Sequence, residues 1–206
     1  MYDRIILGGS FDPPHAGHER MARLALEHTD RLSFLPANVS PFKAGSHASF
    51  QDRLEMVAIL AARISQSTPG KKIDVLDLEG RRPPPSYTFE TMRILRAEFP
   101  GTNIALALGS DSIASFHHWH EPAEILAHHP LLVFARKDDL NWPGSGESLV
   151  ANWGARIESE TRSIPPCASR QIRAAISAAI NESMLHECLD NAVLGFIKVR
   201  GIYLNV

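Results

Sequence analysis

The chain has 206 residues, 44% hydrophobic and 21% charged, enough for one sizeable core and too few for several domains. Lysine and arginine number 21 against 23 aspartates and glutamates, a formal net charge of -2. That balance supplies no strong electrostatic footprint for nucleic acid, and the apolar content excludes a disordered chain.

The opening Met1-Tyr2-Asp3-Arg4 leads into a short apolar run, Ile5-Ile6-Leu7. No secretory leader is expected there, and no apolar stretch approaches the roughly 20 residues of a membrane span. Two cysteines, Cys167 and Cys188, are too few for a disulfide framework or a four-thiolate metal site. They point to a soluble protein of a reducing, cytoplasmic compartment.

Arg4–Leu7 reads as a strand that stops at Gly8-Gly9. From about Ala16 to His28 the pattern turns helical, with Met21, Leu24, Ala25 and His28 on one face. Arg31–Leu35 is a second strand. Ser49 and Asp52 form a capping-box-like start for a helix carrying Phe50, Leu54, Val57, Ala58, Ala61 and Ile64. Ile73–Leu78 is a third strand, and Pro83-Pro84-Pro85 enforces a loop. A helix from about Thr88 to Glu98 follows. Asn103–Leu108 has no polar alternation and suits a central strand buried on both faces. Leu131–Ala135 adds a fifth strand, Asn141–Gly146 is a loop, and Leu149–Ile157 is one more strand. Ser169–Ile180 and Asp190–Val199 close the chain as helices. Alternation of strands and helices predicts a parallel sheet covered on both faces, in one domain over residues 1–206.

The most informative stretch is Gly8-Gly9-Ser10-Phe11-Asp12-Pro13-Pro14-His15-Ala16-Gly17-His18. It joins the first strand to the first helix, where open parallel sheets bind ligands. Gly8, Gly9 and Gly17 allow close approach to the backbone. The helix N-terminus attracts phosphate, and His15 and His18, three apart, can both face one anion. The run matches neither the GxGxxG pattern nor the P-loop, so neither a dehydrogenase nor a P-loop ATPase is favoured. Asp12 sets the turn before Pro13 rather than acting as a base.

This run resembles the GSFDPxHxGH signature of the nucleotidyltransferase superfamily. Further motifs narrow the resemblance to bacterial nicotinate-nucleotide adenylyltransferases. Pro36-Ala37-Asn38-Val39-Ser40-Pro41-Phe42-Lys43 resembles PxNxxPHK/R, and Ser86-Tyr87-Thr88-Phe89-Glu90-Thr91-Met92 resembles SYTxxTL. Gly109-Ser110-Asp111 followed by Trp119 resembles GxDxxxxxxxW. Ser169-Arg170-Gln171-Ile172-Arg173 resembles the end of ISSTxIR, and Val193–Ile197 with Tyr203 resembles the closing VxxYI…LY. The matches run from Gly8 to Tyr203 in the family's order. Phe42, Arg170, His120 and Phe196 depart from the family's usual residues, and Phe42 bears on how the Lys43 loop engages phosphate.

The resemblance implies a Rossmann-like α/β nucleotidyltransferase fold with a mainly parallel sheet. It implies transfer of AMP from ATP to nicotinate mononucleotide, forming deamido-NAD and pyrophosphate in NAD biosynthesis. Catalytic roles fall on His15, His18, Lys43 and Arg173. ATP contacts fall on Gly8, Gly9, Ser10, Phe11, Gly17, Gly109, Asp111, Arg136 and Ser169. Acceptor contacts fall on Asn38, Ser86, Tyr87, Thr88, Trp119 and His120. Mg²⁺ is carried by the ATP phosphates, and no protein metal site is expected, because His117, His118, His120, His128 and His129 fit no standard zinc spacing.

Several alternatives stay open at this level. Asp111 either caps the following helix, contacts the adenosine ribose, or does both. Trp119 is a core residue or a platform for the pyridine ring. The partners are ATP and the acceptor, with no nucleic acid and no membrane, and a homo-oligomer is open. Rival functions are adenylyl transfer to nicotinamide mononucleotide or phosphopantetheine, a catalytically silent nucleotide sensor, and a fragment of a class I aminoacyl-tRNA synthetase.

Overall fold

The computed structural model describes residues 1–42, 46–134, 147–149, 156–160 and 164–204, with the side chains of 158–160 left aside. Six strands form one all-parallel sheet: β1 (Arg4–Gly9), β2 (Arg31–Pro36), β3 (Lys72–Val75), β4 (Ile104–Gly109), β5 (Leu131–Phe134) and β6 (Ile157–Glu160). Their order is β3-β2-β1-β4-β5-β6. The chain winds outward in one direction through β3, then returns to the centre and winds the other way. The crevice between β1 and β4 is therefore the switch point, where both crossovers leave in opposite directions. Ile5 stands beside Leu32 on one side and Ala105 on the other.

The helices are α1 (Ala16–Ala25), α2 (Phe50–Ser67), α3 (Thr88–Glu98), α4 (Ser110–Ile113), α5 (Pro122–His128), α6 (Ser169–Ser177), α7 (Glu182–Cys188) and α8 (Asn191–Arg200), with a 3-10 turn at Phe116–His118. Strand alternation sorts the core into two layers. Ile5, Leu7, Leu32, Phe34, Leu132 and Phe134 face α1 and α2, while Ile6, Leu35, Leu106, Leu108 and Val133 face α3, α4 and α5. Each such side chain contributes about 1.5–3 kcal/mol on burial. A third cluster packs α6, α7 and α8 around Met56 of α2. Arg63 pairs with Asp190 and Arg200 with Asp52 across that junction.

Four expectations change. The predicted strand Leu149–Ile157 does not form as drawn: residues 147–149 are helical, and the strand begins at Ile157. The third strand ends at Val75 rather than Leu78. Helices α5 and α7, seven residues each, are too short to display a clear period. The fourth change is chemical. Cys167 and Cys188 are joined in a disulfide. Two cysteines make no framework, yet they make this one bond, so the cysteine count carries no argument for a reducing compartment. The predicted loop Asn141–Gly146 lies outside the described residues.

Candidate functional site

The turn from β1 to α1 is built by its own side chains. His15 caps α1, its Nδ1 accepting the Gly17 N–H at 3.1 Å. His18 returns the contact, its Nδ1 accepting the His15 N–H at 3.2 Å. The two rings lie 3.8 Å apart. Two histidines thus do the work of the usual serine and glutamate in a reciprocal cap. The arrangement also sets their chemistry. An Nδ1 that accepts carries no hydrogen, so each neutral ring holds its hydrogen on Nε2, as a donor.

The glycines serve that packing as much as any ligand. A Cβ at Gly17 would lie 2.9 Å from the His15 ring, and one at Gly9 would lie 3.0 Å from the Phe11 ring, whereas Gly8 faces open space. Phe11 holds a left-handed backbone, φ 49°, a strain of about 1–3 kcal/mol for a non-glycine residue. Its buried ring repays that by packing against Phe34 and His18 at 5.7 and 4.8 Å.

Asp12 is a tie point. Its buried carboxylate accepts the His47 and Ala48 N–H groups at 2.9 and 3.1 Å and the Tyr203 hydroxyl at 2.7 Å. Burial beside that carboxylate pushes the Tyr203 phenol well above its usual range. The end of the chain is thereby fastened to the first turn. Helix α6 approaches from the same side: Ser169 donates to the Pro13 carbonyl at 2.9 Å and Arg173 to the Asp12 carbonyl at 2.6 Å. Arg173 Nε is buried without a hydrogen-bond partner among the described residues. Its guanidinium also lies 3.8 Å from the Asp12 carboxylate and lines a polar cavity.

Two cavities meet over the C-terminal ends of β1 and β4. The polar one, about 370 Å³, is lined by Gly8, Gly9, Ser10, Phe11, Asp12, His15, His18, Gly109, Asp111, Ser169, Arg170 and Arg173, among others. The second, about 270 Å³, is lined by Leu35, Leu106, Leu108, Glu79, Ser86, Tyr87, Thr88, Trp119, His120 and Phe42, among others. Gly8, Gly9, Ser10, Asp111 and Ser112 border both. A Cβ at Gly109 would meet the Asp111 carboxylate at 2.5 Å, so this glycine makes room for a carboxylate standing between the cavities.

The walls of the second cavity come from far apart in the chain. Ser86 Oγ accepts the Asn38 and Val39 N–H groups at 3.1 and 3.3 Å. Asn38 is half-buried, and its backbone rather than its side chain is engaged; it is not among the lining residues. With the Ser86 hydroxyl committed there, α3 begins at Tyr87 without a side-chain cap. Its first N–H groups and the positive end of its dipole are left for an anion beside Tyr87 and Thr88. Trp119 is half-buried and lies on Phe116 with ring centroids 4.9 Å apart. Tyr87 and His120 are stacked at 4.6 Å.

Three further residues at the site are not apparent in the sequence. Arg53 is 1% exposed and donates to the carbonyls of Ser10 at 2.8 Å, Ala37 at 2.5 Å and Asn38 at 2.9 Å. It locks the loops after β1 and β2 together. Glu79 is buried in the wall of the second cavity. Arg170 adds a second cation to the polar cavity. A charged residue on the apolar face of α2 is the one available signal for Arg53. Lys43 and Arg136 lie outside the described residues.

The cytidylyltransferase-like family model matches residues 6–180. A protein of Aquifex aeolicus (strain VF5) named "probable nicotinate-nucleotide adenylyltransferase" is 40% identical over 136 residues, which is 65% of this chain and 77% of that one. One of the same name from Pseudomonas syringae pv. tomato is 32% identical over 216 residues, covering 96% and 92%. Among solved structures, Plasmodium falciparum nicotinic acid mononucleotide adenylyltransferase complexed with NaAD superposes with a TM-score of 0.81 at 18% identity, covering 98% of each chain. That last likeness is one of fold.

Proposed function

The chain belongs to the nicotinate-nucleotide adenylyltransferase family, and from that premise we propose that it transfers AMP from ATP to nicotinate mononucleotide, releasing pyrophosphate. The observation that carries the substrate pairing is the junction of two unlike cavities at Gly8–Ser10 and Asp111. One is polar and rich in donors. The other combines aromatic rings with an uncapped helix N-terminus. A triphosphate suits the first and a pyridine carboxylate the second. The same helix end favours nicotinate over the uncharged nicotinamide, since the dipole rewards a full negative charge.

The 5′-phosphate oxygen of the acceptor attacks the α-phosphorus of ATP in line, with no covalent enzyme intermediate. Catalysis is then positioning plus charge stabilisation. The Nε2 hydrogens of His15 and His18 address the phosphates, with His18 nearest the α-phosphate. Arg173 and Lys43 balance the charge of the leaving pyrophosphate. The backbone of Gly8–Phe11, with Gly109, Ser169 and Arg136, surrounds ATP, Gly17 stands behind the His15 ring, and Asp111 meets the ribose. Trp119 and His120 flank the pyridine ring, Tyr87 and Thr88 at the head of α3 receive its carboxylate, and Ser86 holds that helix start in place. Mg²⁺ enters as part of the nucleotide, on phosphate oxygens and water. Asp12 does not fit as its ligand, because His47, Ala48 and Tyr203 already occupy that carboxylate. No helix among the described residues is long and apolar enough to cross a membrane, and the reading puts the enzyme in the cytoplasm with its nucleotides.

A pyrophosphate-release assay with ATP and Mg²⁺, run with each acceptor in turn, tests this. Nicotinate mononucleotide should be preferred. Equal or greater turnover with nicotinamide mononucleotide or phosphopantetheine would overturn the choice.

A further inference from the structure

The Glu79 carboxylate sits where a fold alone has little use for it. It is 4% exposed, on the loop after β3, and its Oε2 has no hydrogen-bond partner among the described residues. Oε1 accepts the Thr91 hydroxyl at 3.1 Å, and Arg82 donates to that same hydroxyl oxygen. The Ser86 hydroxyl and the Asn38 N–H lie beside the carboxyl and favour its ionised form. Burial pushes the Glu79 carboxyl above the usual carboxylate range despite these donors and the charge of Arg82. Among the described residues, the buried Arg53 of α2 also interacts electrostatically with it. A raised carboxyl pKa means the ionised form is disfavoured by folding. The contribution of this group to stability is intact below the unfolded pKa and is lost as pH rises through the folded one. The ionised form is a net cost to the fold, and an uncharged side chain of the same volume would pack at least as well.

What the carboxylate does is organise hydroxyls. Ser86 Oγ accepts two N–H groups, from Asn38 and Val39, and can do so only if its own hydrogen points elsewhere. Thr91, one turn into α3, is oriented by the same group. We propose that Glu79 is a positioning residue for the acceptor: Oε1 holds the Thr91 hydroxyl, the unpartnered Oε2 is offered to the Ser86 hydroxyl hydrogen, and the carboxylate so ties the loop after β2 to the start of α3 and holds the cavity wall that meets the pyridine nucleotide. This rests on the reading of that cavity as the acceptor site. Glu79 touches neither substrate directly in this role.

The test is Glu79→Gln, with Glu79→Asp as its companion. The amide keeps shape and one acceptor oxygen but loses the charge that strengthens both hydroxyl bonds, an effect of about fivefold. KM for nicotinate mononucleotide should rise about that much, while KM for ATP and kcat stay within about twofold. The melting temperature at neutral pH should not fall. Hydrogen exchange at the Asn38 and Val39 amides should accelerate. In the parent enzyme the acceptor KM should rise as pH falls and Glu79 is protonated. In Glu79→Gln that rise should shrink to the part due to the acceptor's own phosphate, which both enzymes share. Glu79→Asp should restore part of the pH response. Unchanged acceptor KM with undiminished amide protection would overturn the proposal, as would a lower melting temperature with equal losses for both substrates. The exchange measurement needs no turnover. If the parent enzyme ignores nicotinate mononucleotide but the variant loses amide protection, the substrate reading fails and the Glu79 tie stands.

Discussion

The two halves of the site are built by opposite strategies. The phosphate side has a contiguous centre: residues 8–18 supply the turn, the cap and both histidine donors, His15 and His18 hold each other, and Ser169 and Arg173 of α6 dock onto that turn. The acceptor side draws on the loop after β2, the loop after β3, the start of α3 and the 3-10 turn before Trp119. A contiguous turn closes short loops and loses little chain entropy, whereas the acceptor side must bring together segments nearly 80 residues apart. It is therefore held by buried polar ties, Arg53 and Glu79, in place of local geometry. Damage to the histidines of the first half should appear in the chemical step, and damage to the walls of the second mainly in acceptor binding.

The largest expected effect comes from the residue that serves both halves. Arg53→Met removes a buried cation and orphans the carbonyls of Ser10, Ala37 and Asn38, at a cost of about 3–5 kcal/mol. Urea denaturation measures it, and KM for both substrates should rise together. A variant with parental stability would show that the loops hold without the clamp.

His18→Ala sharpens the local half. Loss of one donor to a developing charge should lower turnover about 10²–10³-fold, with little change in melting temperature. His15→Asn is the companion: it keeps a capping side chain for α1 but lacks the Nε2 donor, so turnover should fall while stability holds. Near-normal turnover in either variant would remove that ring from the phosphate.

The disulfide tests whether the third helical cluster aligns the phosphate half. Cys167 lies two residues before Ser169, and the bond reaches Cys188 at the end of α7. Closing a loop of that length stabilises by about 3 kcal/mol. Reduction, or Cys188→Ser, should lower the melting temperature and raise KM for ATP through Ser169 and Arg173, leaving the acceptor KM unmoved. Equal stability of the oxidised and reduced proteins would detach the bond from this argument.

Trp119→Ala should show the smallest effect. An offset aromatic stack contributes about 0.5–1.5 kcal/mol, so the acceptor should bind roughly two- to twelvefold more weakly, with the ATP KM little changed. Because the ring is half-buried on Phe116, stability should also fall, by less than the roughly 3–5 kcal/mol of a fully buried aromatic. Trp119→Phe should recover much of both. That pair of outcomes would join the two meanings of this tryptophan, core and platform, in one side chain.

What could be read from the sequence follows the same division. The strand and helix alternation was legible because burial on two faces writes itself into neighbouring residues, as in Ile104–Leu108 of β4. The histidine turn was legible because its function needs residues three apart at one strand end. The sequence by itself therefore determined the first five parallel strands, the longer helices between them and the histidine turn after β1. It left open which cavity wall each later motif would join. Only the tertiary structure decided that Arg53, a charge amid the apolar positions of α2, would span two loops, that Asp12 would meet Tyr203, 191 residues away, and that Cys167 would find Cys188. These contacts leave no local pattern, because a buried charge or thiol is satisfied by whichever segment folding brings to it, and that choice depends on the packing of the whole chain.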